Sequence, residues 1–492
     1  MTDPSTPQMP EAPETPDLPD LPGAAEPAAA PDASFASDNV AGVAPEILES
    51  LARIGGGTAL PYGDDPVTAR LADVVRAEFG ARAEVLPVFN GTGANVVALQ
   101  ALLPRWGAAI CARQAHINTD EGAAPERLGS LKLLPRPTAD GKLTVDDVDA
   151  ERRATGFVHA AQPLAVSLTE STEVGTVYTP AEIAAVAERA HAAGMGVHLD
   201  GARLANAAAA LGVGLGELTA AGVDVVSLGG TKNGAMAAEA VVVIDPDRVA
   251  GVDYIRKYSM QLASKQRYVS AQLLELFGTD LWRRNAERAN AQAARLGRRL
   301  AEIDGIRLSR PTEVNAVFPE IDAAILAELR RRYLVHTWDA AADGTPVARL
   351  MCSFDTRDEQ IDELVETARR ASAAPGAAEL TPSVGWSRDD SRPSGFRDGR
   401  RRRTSGAALP SRPRRASGAV PHRSGRASAC AHAPRGAGRG DPRAVAPGSL
   451  RRRAARRGAR SRDDARPSLA ESPGPRRPSI PQPARRRLRA RP

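Results

Sequence analysis

Lysine is scarce in this chain: 492 residues hold only Lys132, Lys142, Lys232, Lys257 and Lys265, so any chemistry that needs a primary amine has five candidates. Cysteine is rarer still. Cys111, Cys352 and Cys430 are too few and too scattered for a disulfide framework or a zinc site, which points to a reducing compartment. No stretch approaches the roughly 18 apolar residues of a membrane span, and the N-terminus lacks the charged start and apolar run of a signal peptide. The expectation is a soluble cytoplasmic protein with no membrane partner.

Both ends lack the apolar content of a core. Residues 1–35 contain nine prolines, seven acids and no Lys or Arg, while residues 376–492 hold 30 Arg, no Lys and 8 acids. Neither end buries enough apolar surface to offset the entropy of ordering it. The formal charge of +6 is therefore a sum of unlike parts: +22 in residues 376–492, and −16 in residues 1–375, where 51 acids face 35 bases. The chain divides into a disordered Pro/Ala-rich acidic segment (1–35), a large domain (36–250), a helical connection (251–303), a small α+β domain (304–373) and a disordered Arg/Pro-rich tail (374–492).

Through the body, short β-branched or apolar runs alternate with longer helical patterns, the mark of a mostly parallel sheet covered by helices. Strands are expected at Glu84–Phe89, Ala108–Cys111, Leu164–Leu168, Gly196–Leu199, Val223–Leu228 and Ala240–Ile244, with helices at Ala94–Leu103 and Ala181–Ala193. Val252 to Ile303 reads as one long helix or a broken pair. Asn315–Phe318, Ala348–Ser353 and the helix Asp358–Arg370 suggest the small domain.

The chemically suggestive residues lie just beyond the C-terminal ends of these strands, where open α/β sheets place ligands. Lys232 stands in Gly229-Gly230-Thr231-Lys232-Asn233-Gly234 directly after an apolar strand. The glycines admit a bulky planar group, and desolvation there lowers an amine's pKa towards Schiff-base chemistry. Lys132 and Lys142 flank turn-like sequence and read as surface charge. Asp200, in His198-Leu199-Asp200-Gly201-Ala202-Arg203, either caps the next helix or faces the pyridine nitrogen of pyridoxal phosphate, which keeps that ring an electron acceptor. Asn90-Gly91-Thr92-Gly93 leads a strand into a helix and suits a phosphate; it fails as a Walker loop because no Gly-Lys-Ser/Thr follows. His116 also follows a strand end, which favours stacking on a cofactor ring over a purely structural role. Arg349 interrupts an apolar strand, and a buried Arg needs an anionic partner such as a substrate carboxylate.

The ordered strings Ser37-Asp38-Asn39, Pro61-Tyr62-Gly63-Asp64-Asp65-Pro66, Asn90-Gly91-Thr92-Gly93-Ala94-Asn95, Thr172-Glu173-Val174-Gly175-Thr176-Val177-Tyr178, Asp200-Gly201-Ala202-Arg203 and Thr231-Lys232-Asn233-Gly234 resemble those of low-specificity L-threonine aldolases, from about Ser37 to Arg370. The resemblance implies a fold type I (aspartate aminotransferase-like) enzyme of the aromatic amino acid β-eliminating lyase/threonine aldolase family that uses pyridoxal 5'-phosphate. It implies that Lys232 bonds the cofactor and Asp200 holds the ring nitrogen. His116 would stack on the ring, Gly91 and Thr92 would bind the phosphate, and Arg203 and Arg349 would take the substrate carboxylate. Ser37 and Tyr62 would stand near the substrate, and Lys265 would reach the site from a neighbouring protomer of a homodimer or homotetramer.

Many family members carry Glu-Asn-Thr-His where this chain reads Glu170-Ser171-Thr172-Glu173. The base that takes the substrate's hydroxyl proton is left open between Glu173, His116 and a bound water. The expected reaction cleaves threonine or allo-threonine to glycine and acetaldehyde. A β-eliminating lyase or a phenylserine-type aldolase is the alternative, because the cofactor serves several bond cleavages. The Arg-rich tail offers a nucleic-acid-binding reading through phosphate neutralisation. Phe396 is its one aromatic residue after Trp386, so stacking is nearly absent, and Arg without Lys fits GC-rich coding bias better.

Overall fold

The computed structural model describes residues 34–374. The two segments expected to be disordered, and with them the nucleic-acid reading of the tail, lie outside the described residues apart from their innermost positions.

The larger sheet has seven strands: β1 (Glu84–Val88), β2 (Gly107–Ala112), β3 (Lys132–Arg136), β4 (Gln162–Thr169), β5 (Gly196–Gly201), β6 (Val225–Gly229) and β7 (Glu239–Val243), in the order β1-β7-β6-β5-β4-β2-β3. Every residue of β2, β5, β6 and β7 is buried. That is why these segments read as continuous apolar runs, since helices cover both faces. Neighbours from β3 to β6 pair in parallel, whereas β7 is antiparallel to both β6 and β1. Two reversals restore the direction, so β1 points the same way as β6. Six strands therefore deliver their C-terminal ends to one edge.

One expectation is incomplete here and another needs correction. Lys132 is exposed and follows the turn at residues 128–129, as expected, but it also opens the edge strand β3, which was not expected and whose burial is too patchy to show as an apolar run. The segment Val252 to Ile303 forms three helices, Val252–Tyr258, Arg267–Phe277 and Leu281–Leu300. The first two are separated by a stretch in which Met260 takes a positive φ of 62°.

The smaller sheet comprises β8 (Ile306–Leu308), β9 (Ala316–Val317), β10 (Pro319–Ile321), β11 (His336–Ala340) and β12 (Pro346–Met351), antiparallel in the order β11-β12-β10-β8 with β9 also on β12. Helices Leu281–Leu300, Ala323–Arg332 and Asp358–Ser372 close its core through Leu296, Leu329 and Val365. Phe35, assigned from sequence to the disordered segment, belongs to this core at 1% exposure, and the Met351 N–H donates to its carbonyl at 2.8 Å. An apolar side chain flanked by Ala and Ser gave no periodic signal, yet it anchors the chain entry. Residues 36–38 are thereby held beside β12 at the site edge.

Candidate active site

Lys232 lies in a single turn, Thr231–Asn233, after β6. A Cβ on Gly229 would stand 2.6 Å from the Ala202 carbonyl oxygen, and one on Gly230 would stand 2.5 Å from that of Ala238, so this approach to the lysine needs glycine. Lys232 is half-buried, and its amine makes no hydrogen bond or ion pair among the described residues. Burial first, then the Arg203 charge, pulls its pKa below the usual lysine value against the opposing pull of Asp38, Asp200 and Glu239. Beneath the turn, the Gly230 N–H donates to buried Glu239 at 2.9 Å, and burial pushes that carboxyl up to about 7.

Asp200 ends β5 and is fixed at both oxygens: Oδ1 accepts from the Ala202 N–H at 3.1 Å and Oδ2 from Asn95 Nδ2 at 2.9 Å. It does not cap the following helix, whose N-cap is Arg203. The same Asn95 nitrogen donates to Glu121 Oε1 at 2.8 Å, and that oxygen also meets His116 Nδ1 at 2.9 Å. The hydrogen bond from Glu121, although burial opposes it, raises the His116 pKa above its ordinary value, with help from Asp200. Glu173 completes the group. Its Oε1 accepts from the His116 backbone N–H at 2.7 Å, while burial and the nearby Asp200 push its carboxyl up to about 7.

The helix Gly91–Leu102 starts three residues earlier than its apolar pattern suggests, because Asn90 caps it by accepting from the Gly93 N–H at 2.7 Å. The N–H groups of Gly91 and Thr92 are left to the solvent side, nothing lies within 4 Å of a Cβ built on Gly91, and a cavity of about 340 Å³ opens over Asn90, Thr92 and Gly93. Such a helix start is a candidate anion cradle. Gln261 closes it from below, accepting from the Phe89 N–H at 3.0 Å.

The arginines are used unequally. Arg203 donates from Nε and Nη2 to both oxygens of buried Asp38, at 2.7 and 2.8 Å, so its fork is not the free carboxylate clamp expected from the sequence; only Nη1 has no partner among the described residues. Arg349 is the open one. It stacks on Trp338 at 4.3 Å and donates from Nη2 to the Ala36 carbonyl, while its Nε is buried without a partner. Burial and the neighbouring Arg203 bring its pKa down to about 10. Ser37 lies between these two contacts in the chain, its hydroxyl accepting from the Asn39 N–H at 3.2 Å.

Lys232, Asp200, His116, Glu173, Arg203, Arg349 and Ser37 thus converge with the Gly91–Thr92 cradle. Tyr62 and Lys265 do not join them: Tyr62 is exposed and carries Lys257 over its ring at 4.7 Å, and Lys265 is exposed on the adjoining segment. Sequence reasoning missed Glu121 and Trp338, which no motif flagged. It also left Asp38 and Asn95 without roles, although both stood inside quoted strings. The buried atoms Asn95 Oδ1, Glu121 Oε2, Glu173 Oε2 and Arg349 Nε have no partner among the described residues. They surround an open anion cradle and an unpaired lysine, which fits a planar, phosphorylated aldehyde with an amino acid beside it.

The chain's residues 34–324 match the family model described as beta-eliminating lyase. It is 40% identical over 346 residues to a low specificity L-threonine aldolase of Pseudomonas aeruginosa, which covers 69% of this chain and 98% of that relative. A threonine aldolase structure from Leishmania major superposes with a TM-score of 0.66 at 29% identity, covering 69% of this chain and 99% of the other. A structure described as SPT with PLP shares the fold at a TM-score of 0.51 and 17% identity, over 68% of this chain and 86% of that one.

Proposed function

Given that this chain belongs to the beta-eliminating lyase family, we propose that it is a threonine aldolase of low specificity, cleaving threonine and allo-threonine between Cα and Cβ to glycine and acetaldehyde. It is a lyase of fold type I, and its cofactor is pyridoxal phosphate. The observation that carries the reading is Lys232, the one lysine not exposed whose amine has no partner among the described residues, beside an Asp200 fixed at both oxygens.

When bound, the cofactor supplies an electron sink for the pair released from a bond to the substrate's Cα. Lys232, its proton affinity lowered, offers the amine that holds the aldehyde. Asp200 would hold the ring nitrogen, His116 would lie against the ring, and Gly91 and Thr92 would hold the phosphate at the helix start. Arg349 and Ser37 take the carboxylate, and Arg203, braced by Asp38, supplies positive charge behind them. This clamp sets which Cα bond stands perpendicular to the ring. Glu173 suits the base: its carboxyl titrates near neutrality and its Oε2 is unpaired. His116 suits it less, because its raised pKa favours the charged form.

Exposed Tyr254, Tyr258 and Met260 follow one another near the cradle, and Met260 lines its cavity. Such a patch suits a subunit boundary, so the active form is a homodimer or homotetramer in which Tyr62 and Lys265 face a partner's site.

The test is holoenzyme with threonine, allo-threonine, phenylserine and serine, followed for aldehyde, pyruvate and glycine. Equal glycine and aldehyde from threonine are expected. Keto-acid products without glycine would replace this reading with β-elimination, and aldehyde from phenylserine alone would narrow it to a phenylserine aldolase.

A further inference from the structure

Glu121 has no part in the reaction just described, yet its side chain is fully buried with no Lys or Arg paired to it among the described residues. A buried carboxylate is costly unless hydrogen-bonded to a cationic or polar partner. Its Oε1 has two donors, His116 Nδ1 at 2.9 Å and Asn95 Nδ2 at 2.8 Å. Asn95 spends the other hydrogen of the same nitrogen on Asp200 Oδ2 at 2.9 Å. One amide group therefore ties the carboxylate behind the histidine to the carboxylate that faces the ring nitrogen.

We propose that Glu121 is a positioning residue for His116, fixing Nδ1 inward so that Nε2 is the ring nitrogen left to face the substrate and cofactor, and that Asn95 couples this pair to Asp200. This rests on the reading of the pocket as the cofactor site. The geometry follows from where the residues sit. His116 opens a four-residue helical turn after β2, and Glu121 follows two positions beyond the end of that turn at Thr119, so the two side chains can close a small ring. Asn95, the fifth residue of the cradle helix, reaches both Glu121 in that loop and Asp200 near the end of β5. The charged groups facing His116 are Glu121 from its own loop, Asp200 from β5 and Lys232 from the turn after β6, with Glu173 on its backbone N–H. Glu121 is the largest influence and favours the protonated ring; Lys232 opposes it. A purely structural Glu121 would hold the loop but leave the His116 titration alone.

The experiment uses full-length holoenzyme with ¹³C-labelled histidine, His116 being assigned by its absence in His116→Asn. Glu121→Gln keeps shape and an acceptor but not the charge. The His116 midpoint is expected to fall, and kcat to drop about 10- to 100-fold with KM nearly unchanged, the range for losing a partner that orients a metal-bound imidazole. Glu121→Asp is expected to restore most of the midpoint. An unmoved midpoint in Glu121→Gln overturns the proposal. Should that variant not fold, Asn95→Ser is read instead. A shifted midpoint, raised because Glu121 loses a competing donor, together with weaker cofactor retention supports the coupling, and an unmoved midpoint overturns it. The visible absorbance of the Lys232-bound cofactor in the unsubstituted protein is read first: its absence refutes the cofactor site itself, independently of the relay.

Discussion

Arg203 turns its Nε and Nη2 onto the two oxygens of Asp38, 165 positions earlier in the chain, at 2.7 and 2.8 Å. Burial alone would raise the Asp38 pKa, but the charge and hydrogen bonds of Arg203, aided by Lys232 and Asn315, hold it at about 2. The pair ties the entering segment to the end of β5, and of the two guanidinium groups Arg349 is the one without a carboxylate partner among the described residues.

Replacing Asp38 with Asn leaves Arg203 buried without its counter-charge. Unfolding free energy is expected to fall by about 3 kcal/mol at pH 7, the range for breaking a buried pair. Asp38 has a depressed folded pKa, so its contribution is complete above the unfolded value of 3.8 and disappears as pH falls through about 2. Urea titrations at pH 7 and pH 2 check this: the difference between wild type and Asp38→Asn shrinks at the lower pH.

Glu173→Gln addresses the base. With the carboxyl at about 7, activity should rise through neutrality as the carboxylate forms, and the variant should lose that acid limb with kcat down roughly 100-fold. Stability moves the other way. A folded pKa raised above the unfolded 4.5 means the native state binds the proton more tightly, so stability declines as pH rises from 4.5 to about 7. Glu173→Gln should therefore be the more stable protein above pH 7, by thermal melting across pH.

Two glycines separate binding from folding. A methyl at Gly91 meets nothing within 4 Å, so Gly91→Ala should melt normally yet lose cofactor affinity, measured by absorbance after dialysis. At Gly229 the methyl would press on the Ala202 backbone at 2.6 Å, and Gly229→Ala should cost about 1–3 kcal/mol of stability.

Arg349→Lys swaps a planar fork for a point charge. We expect kcat/KM to fall about 100-fold, mostly through KM. Trp338→Leu removes only the stacking face at 4.3 Å and should cost about 2- to 5-fold. Steady-state kinetics with threonine would show the two effects; an unchanged KM in Arg349→Lys removes the carboxylate role.

The candidate lysine, the aspartate near it and the glycine turn at a helix start were visible in the sequence because each is local: a glycine-flanked residue at the end of an apolar run shows its setting within about six positions. The mostly parallel sheet was readable for the same reason, as fully buried strands leave continuous apolar runs. Strand β3 was hidden by its patchy burial, and the break between the first two helices of residues 252–300 was hidden because residues 259–266 contain no glycine or proline.

Residue types at strand ends thus pointed by themselves to the candidate groups. Partnership was decided only by the fold. Whether Arg203 is free or spent on Asp38, whether His116 is backed by Glu121, and whether Asn95 joins two carboxylates depend on side chains brought together from distant segments. Hydrogen bonds act over about 3 Å, a distance that spacing along a chain does not encode.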